Sequence, residues 1–381
     1  MLEIARTLQG AGHESWFVGG AVRDALLGHA NMDWDIATAA TPQQVQRLFR
    51  RTVPVGIDFG TVGVLDASGV MHEVTTFRRD VQTDGRHAVV EFGASLDEDL
   101  ARRDFTINAI AFGPESRVLH DPFDGRGDLE RRLVRAVGVA ADRMREDRLR
   151  ALRAIRFAAR FGFAIETETW SAILTSAPYL GRLSMERVQQ EIEKTMLQVA
   201  RPGDAFRLWR DSGALAVLAP PLASLSDTAI ATLDRLPRAT RASESLRTAN
   251  RLTALLLDLP ADIARGTLRD LRFSNDRTSW IGDLVERWHL LGGPIRDAIS
   301  SGTRPSDAQV RRWVAAIGRT RVGAFLRVAE ARYAAERDDG TREAAAAAMR
   351  SLYRRVRRAA LRDPVEIGDL AVNGGDLMQA G

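Results

Sequence analysis

Apolar and polar positions along the chain first follow a short period and later a long one. Residues 16–18 are a compact apolar run that predicts a strand, and Gly19-Gly20 punctuate it. Residues 21–27 then predict a short helix stopped at Gly28, and residues 32–36 the next strand. Thr41-Pro42-Gln43-Gln44 has the form of a helix start, with Thr as cap, Pro at the first turn and Gln closing a capping box. Residues 61–65 and 70–77 are β-rich runs joined through Asp66-Ala-Ser-Gly69, which predicts a hairpin. Residues 79–90 are polar and turn-rich and read as a loop. Residues 107–112 and 117–120 read as further strand or helix ends before the turn Asp121-Pro-Phe-Asp-Gly125.

From about Asp142 the strand signals fade and a helical period continues to the end. Pro202-Gly203, Pro220-Pro221, Gly292-Gly293-Pro294 and Arg304-Pro305 predict breaks between helices. The alanine run 344–348 reads as plain helix. The pattern predicts a small mixed α+β head followed by a long all-α remainder.

Composition narrows the class. A chain of 381 residues suggests two or three domains. No stretch is apolar enough to span a bilayer, residues 1–16 carry no signal-peptide pattern, and there is no cysteine to form a disulfide or a thiolate metal site. A cytoplasmic protein without a membrane association is expected. The net charge of +4 suits a polyanionic partner. Lys194 is the only lysine, so the arginine excess also reflects a base-composition bias.

The candidate chemistry begins at Asp33-Trp-Asp35. Side chains two apart on a strand share a face, so the expected strand presents both carboxylates together. Paired carboxylates suit hard divalent cations such as magnesium, which serve phosphoryl transfer. The Gly19-Gly20 turn just upstream would let backbone amides approach a triphosphate. Glu73 is a candidate third carboxylate on a neighbouring strand. Two further constellations follow, Arg102-Arg-Asp-Phe-Thr-Ile-Asn108 and Glu146-Asp-Arg-Leu-Arg150, the latter running on through Arg153 and Arg156 on a strong helical pattern. By residue type alone these are also what an ion-paired turn and a solvated helix look like, with Glu146 and Arg150 at the i,i+4 spacing.

Together these motifs resemble the nucleotidyltransferase superfamily that includes DNA polymerase β. The closer likeness is to its class II branch, the bacterial CCA-adding enzymes (tRNA nucleotidyltransferases) and poly(A) polymerase relatives. Motifs carry the likeness over the first half of the chain, and helical character alone carries it beyond.

The resemblance implies a polymerase-β-like catalytic head at 1–138, a helical neck at 139–200 for base selection, a helical body at 201–300 and a tRNA-binding tail at 301–381. It implies addition of C, C and A to the tRNA 3′ end from CTP and ATP, with Asp33 and Asp35 holding Mg2+. It places Gly19, Gly20 and Arg23 at the phosphates and Arg103 at the nucleotide. Asp104 or Asn108 would serve ribose recognition, and Asp147, Arg150, Arg153 and Arg156 would line the base. Cytosine and adenine each show an amine beside a bare ring nitrogen. A carboxylate that only accepts and a guanidinium that only donates would therefore admit them and repel uracil and guanine. Ser184-Met-Glu-Arg187 with Glu191 resembles a further motif that starts a bracing helix.

The loop 79–90, with Asp84-Gly-Arg86 at its centre, is retained, whereas relatives that add only CC have it shortened. The end, Val372-Asn-Gly-Gly-Asp-Leu-Met378, resembles a motif that continues further in relatives, which implies a longer natural chain. Several readings stay open: a poly(A) polymerase, an enzyme adding only CC or only A, an inert RNA-binding module, and a small-molecule nucleotidyltransferase. Ala30-Asn-Met32 stands where poly(A) polymerases usually carry Pro-Lys before the first Asp, which favours tRNA.

Overall fold

The computed structural model describes residues 1–30, 34–83, 88–236, 243–301, 304–337, 339–366, 369 and 378. Asp33, Asp84-Gly-Arg86 and the terminal motif before Met378 therefore lie outside the described residues. The chain divides into two compact units, Met1–Ser184 and Met185–Gly381.

The first unit is built on a sheet. It contains α1 (Leu2–Gly10), β1 (Ser15–Val18), α2 (Gly20–Leu26), β2 (Asp35–Thr38), α3 (Pro42–Leu48), β3 (Thr52–Gly56), β4 (Thr61–Leu65) and β5 (Met71–Thr76). Then come β6 (Arg78–Thr83), β7 (Ala88–Phe92), α4 (Leu96–Ala101), a 3-10 turn (Thr106–Asn108), β8 (Ala111–Phe112), β9 (Leu119–His120), α5 (Gly125–Arg131) and β10 (Leu133–Val134). The unit ends with α6 (Ala140–Glu146), α7 (Leu149–Phe161), β11 (Ala164–Ile165) and α8 (Thr167–Ser176).

Seven strands pair in the order β3-β4-β5-β2-β1-β8-β9. Alternation gives the sheet two unlike faces. Ile36, Val62, Val64 and Val74 are buried on one face, where α1 and α3 pack with Ile4, Leu8 and Val45. On the other face Val18, Ala37 and Ala111 are covered by Leu96 and Leu100 of α4, with Phe77 and Val137.

The local signals for α2, α3 and the hairpin hold. Gly19 and Gly28 have φ of 75° and 72°, the left-handed region that glycine enters at no steric cost. Thr41 accepts the Gln44 N–H while the Gln44 side chain accepts the Thr41 N–H, the expected capping box. Residues 79–90 are not a plain loop. Strands β6 and β7 form an antiparallel ribbon, Arg78 opposite Phe92 and Thr83 opposite Ala88. Backbone pairing closes a two-stranded ribbon without an apolar alternation, so the polar sequence hid it.

The second unit is helical: α9 (Met185–Gln198), α10 (Pro202–Asp211), α11 (Ala214–Leu218), α12 (Asp227–Arg235), α13 (Glu244–Leu256), α14 (Ala261–Asp270), α15 (Asn275–Ser300), α16 (Asp307–Ile317), α17 (Val322–Ala335) and α18 (Asp339–Arg362). Helix α9 begins just after Ser184, where the Ser184-Met-Glu-Arg187 motif predicts a helix start, and its Glu191 is buried. The core gathers Trp288, Ile295, Trp313, Phe325, Leu326 and Tyr333. The break expected at Gly292-Gly293-Pro294 is absent, because α15 runs through it with Pro294 inside. Leu284, Trp288, Leu291, Ile295 and Ile299 bury one continuous face across the site, and tertiary packing outweighs the lost hydrogen bond. The carbonyl deprived of a donor by Pro294 belongs to Leu290, an exposed residue. Tyr333 donates its hydroxyl to the Gly292 carbonyl at 2.7 Å, which ties α17 to this stretch.

Candidate functional site

The acidic side of the candidate site stands on the sheet. Asp35 is the first residue of β2, paired with Val18 across β1. Strand β5 runs parallel to β2, with Ile36 opposite Val74. One step back in the same register sets Asp35 opposite Glu73, an exposed residue. Paired residues share a face, so both carboxylates project from the side opposite Ile36 and Val74. Asp33, the other expected member, falls outside the described residues. Among the described residues no group of three or more His, Cys, Asp or Glu comes together as a metal site. Asp35 and Glu73 offer carboxylate oxygens, the donor type a hard divalent cation prefers.

Gly19 joins this side to the arginine side. A Cβ placed there would lie 3.1 Å from Arg103 Nη1 and 3.8 Å from Asp35 Oδ2. The turn after β1, the head of β2 and the Arg102-Arg-Asp segment therefore meet at one point, although 84 positions separate Gly19 from Arg103. A Cβ on Gly20 would lie 3.4 Å from Arg23 Nη2. Arg103 is braced from behind: Nη2 donates to Asp99 at 3.2 Å and Nη1 to the Asn108 carbonyl at 3.3 Å. Asp99 also takes two bonds from Arg102, at 3.0 and 2.6 Å. Burial pushes the Asp99 carboxyl up, but the two guanidinia outweigh it and hold the group below its ordinary value.

Asp104 is the hub of the arginine side. It is 9% exposed. One oxygen accepts from the Phe105 N–H and the Asn108 amide, both at 2.9 Å. The other accepts from Arg153 Nε at 2.9 Å and Nη2 at 2.6 Å. Burial alone would raise this carboxyl, yet Arg153, the Asn108 amide and Arg150 together hold it down at about 2.

Asn108 reaches onward and accepts from Arg23 Nη1. Arg23 is 3% exposed and faces inward. It donates to Asp24 at 2.8 and 2.6 Å, and its guanidinium lies 5.1 and 4.8 Å from the rings of Phe157 and Phe161. Burial lowers its pKa against the opposing pull of Asp24. Arg160 donates to the second oxygen of Asp24 at 3.2 Å. A chain of contacts thus leaves α7 at Arg160, passes through α2 and the 3-10 turn, and returns to α7 at Arg153.

The third motif departs from its expected local form. The helical pattern across 146–150 predicts one helix, with Asp147 and Arg150 as i,i+3 neighbours. Instead α6 ends at Glu146, Asp147 is extended (φ −146°, ψ 105°) and α7 begins at Leu149. The Asp147 carboxylate accepts the Leu149 N–H at 3.0 Å. A short acidic side chain competes for backbone donors in this way and starts a helix rather than continuing one. Arg150 makes the expected ion pair with Glu146 at 2.7 Å and also donates to the Arg102 carbonyl at 2.9 Å. Arg156 is buried, with its guanidinium 4.3 Å from the Phe157 ring.

The structure thus brings Gly19, Asp35 and Arg103 together, and joins them through Asn108 to Arg23, Asp104 and Arg153. Sequence reasoning missed Asp24, Asp99, Arg160 and the Phe157–Phe161 pair. Arg160 and Asp24 are 136 positions apart and share no motif. Only Asp99, four residues before Arg103 on a short helix, left a local signal.

Comparison with known proteins identifies what the chain is similar to. Residues 15–135 match the Poly A polymerase head domain, and residues 162–225 match the family described as a probable RNA and SrmB-binding site of polymerase A. A CCA-adding enzyme of Streptococcus suis (strain 05ZYH33) is 42% identical over 302 residues, 78% of this chain and 73% of that protein. One from Geobacillus kaustophilus (strain HTA426) is 47% identical over 225 residues, 58% of this chain and 55% of that one. The crystal structure of the Bacillus stearothermophilus CCA-adding enzyme in complex with CTP superposes with a TM-score of 0.76 at 33% identity, covering 99% of this chain and 86% of that one.

Proposed function

The chain belongs to the CCA-adding enzyme family, and on that premise we propose that it adds C, C and A, without a template, to the 3′ end of tRNA from CTP and ATP, releasing pyrophosphate. The observation that carries this reading is the meeting at Gly19 of a carboxylate strand and an arginine motif. That is the juxtaposition needed to hold a triphosphate beside an attacking hydroxyl.

In this reading Asp33, Asp35 and Glu73 would hold Mg2+, which when bound neutralises triphosphate charge and favours the ionised form of the RNA 3′-hydroxyl. The protein's own part is positioning. Gly19 and Gly20 present backbone at the phosphates, with Arg23 supporting the turn from beneath. Arg103, held by Asp99, reaches over the turn, and Asp104 and Asn108 fix the ribose side. Asp147 and Arg150 stand at the base, with Arg153 and Arg156 on the same helix. The asymmetry between acceptor and donor that admits C and A survives the break in the helix, because it depends on the two side chains and not on a shared turn.

The proposed parts are a head at 1–138, a neck at 139–200, a body at 201–300 and a tail at 301–381. Helix α9, the last of the proposed neck, is counted with the second compact unit. No helix among the described residues is long and apolar enough to cross a membrane, and a cytoplasmic location is part of the proposal.

The test gives the protein tRNA lacking its 3′ end, with each nucleoside triphosphate singly and all together. Extension by CTP and ATP to the full CCA is expected. Extension that halts after CC would make it a CC-adding enzyme, and repeated ATP addition a poly(A) polymerase.

A further inference from the structure

The sheet face that carries Asp35 and Glu73 continues, beyond them, into an open apolar strip. Register places Glu73 opposite Gly63, and Gly63 opposite Val53. Asp35, Glu73, Gly63 and Val53 therefore form one row across β2, β5, β4 and β3. Gly63 carries no side chain, and its neighbours lean over the gap. A Cβ there would lie 2.8 Å from Met71 Sδ and 2.9 Å from Val55 Cγ2. On the opposite face Val62 and Val64 are essentially sealed, at 0% and 1% exposure. On this face Val53, Val55 and Met71 stand 38%, 44% and 45% exposed. Leu65 donates its N–H to the Arg51 carbonyl and pairs with Met71, which sets Arg51 at the end of the next row. Arg51 is exposed and shares the face of Val53 by alternation.

We infer that this strip seats the 3′-terminal nucleotide of the RNA acceptor. The inference rests on the proposed transfer reaction. An attacking 3′-hydroxyl must reach the carboxylate face at Asp35. Two strand spacings, about 10 Å, separate Asp35 from Gly63, a distance one nucleotide bridges. Its base then lies on Val53, Val55 and Met71, which close over the buried Gly63, the thioether offering a polarizable contact to an aromatic ring. Its phosphate falls toward Arg51, a match of charge that an apolar protein partner would not need. A flat aliphatic seat has no donors or acceptors to read a base, which suits a site whose terminal nucleotide changes with each addition.

Met71→Glu and Val55→Glu, each in the full chain, test this directly. Each is expected to raise KM for tRNA lacking CCA about tenfold or more, with CTP binding by equilibrium dialysis and the melting temperature unchanged. Met71→Leu should restore the wild-type KM. In wild type, tRNA ending in 4-thiouridine should photocrosslink to peptides containing Val53, Val55 or Met71.

Unchanged RNA KM in both Glu variants, or crosslinks confined to other peptides, would overturn the seat while leaving the reaction standing. A wild-type dimer that dissociates on Val55→Glu would assign the strip to a second copy of the chain and likewise overturn it. A wild-type protein that extends no tRNA would overturn the reading of the reaction itself, and the seat with it.

Discussion

On the sheet, Asp35 and Glu73 stand on neighbouring strands of a face that is open toward β3, whereas on α7 the arginines are set among carboxylates, carbonyls and rings. Asp104 alone accepts four hydrogen bonds, from the Phe105 N–H, the Asn108 amide and two nitrogens of Arg153, and Arg23 is almost wholly enclosed. The contrast teaches where each side draws its order. Alternation sets the face each carboxylate takes, and the parallel pairing of β2 with β5 sets the two side by side on an exposed surface. The guanidinia are placed by partners far away in sequence, so their removal acts on the fold as well as on the substrate.

The largest effect expected is at the sheet. Asp35→Ala should reduce CTP incorporation ~10³-fold or more, roughly 4 kcal/mol of lost transition-state stabilisation. Its melting temperature should stay within a few degrees of wild type, and Mn2+ binding followed by water-proton relaxation should weaken. Near-normal incorporation would remove Asp35 from the reacting centre and end the contrast.

Asp104→Asn should strike both properties. Loss of the charge facing Arg153 should cost about 2–4 kcal/mol of stability in urea unfolding, within the range for one-sided loss of a largely buried pair, and incorporation should fall as well. A variant that loses activity with undiminished stability would make Asp104 resemble Asp35 and erase the distinction between the two sides.

Asp147→Ala should change choice more than rate. Misincorporation of UTP or GTP relative to CTP and ATP should rise about tenfold or more. Asp147 also accepts the Leu149 N–H, so about 1 kcal/mol of stability should go with the cap. If selectivity is unchanged and only that stability is lost, Asp147 is a helix start and nothing else.

The smallest effect sharpens the comparison through pH. The Asp104 carboxyl is held at about 2 against an ordinary 3.8, with burial overcome by Arg153, Asn108 and Arg150. A folded-state value below the unfolded one stabilises fully above the unfolded pKa and is lost as pH falls through the folded one. The stability gap between wild type and Asp104→Asn should therefore be constant above about pH 5 and narrow between about pH 4 and 2. A gap independent of pH over that window would mean the carboxylate is not what stabilises the network.

Local chemistry was readable wherever neighbours in sequence supply the whole interaction. The Thr41–Gln44 box, the left-handed glycines at 19 and 28, and the Asp66–Gly69 hairpin all satisfy themselves within a few residues. Reading failed where a local rule met a distant partner. Gly292-Gly293-Pro294 looked like a stop, but the buried face of α15 spans it. The 146–150 pattern looked like one helix, but the Asp147 carboxylate takes a backbone donor and divides it. The polar stretch 79–90 looked like a loop, but Arg79–Thr83 and Ala88–Val90 are paired along their backbone.

By itself, then, the sequence determined the residue types of the site, the glycine turn beside its carboxylates and the mixed-then-helical order of the chain. These follow from interactions of short range, in which spacing along the chain is already spacing in space. The tertiary structure decided which guanidinium meets which carboxylate, that Arg23 turns inward onto Phe157 and Phe161, and that Val53, Val55 and Met71 stay exposed above Gly63. Those outcomes depend on which surfaces are withdrawn from water together. Burial makes an unpaired charge costly, and only the folded packing brings its partner within reach.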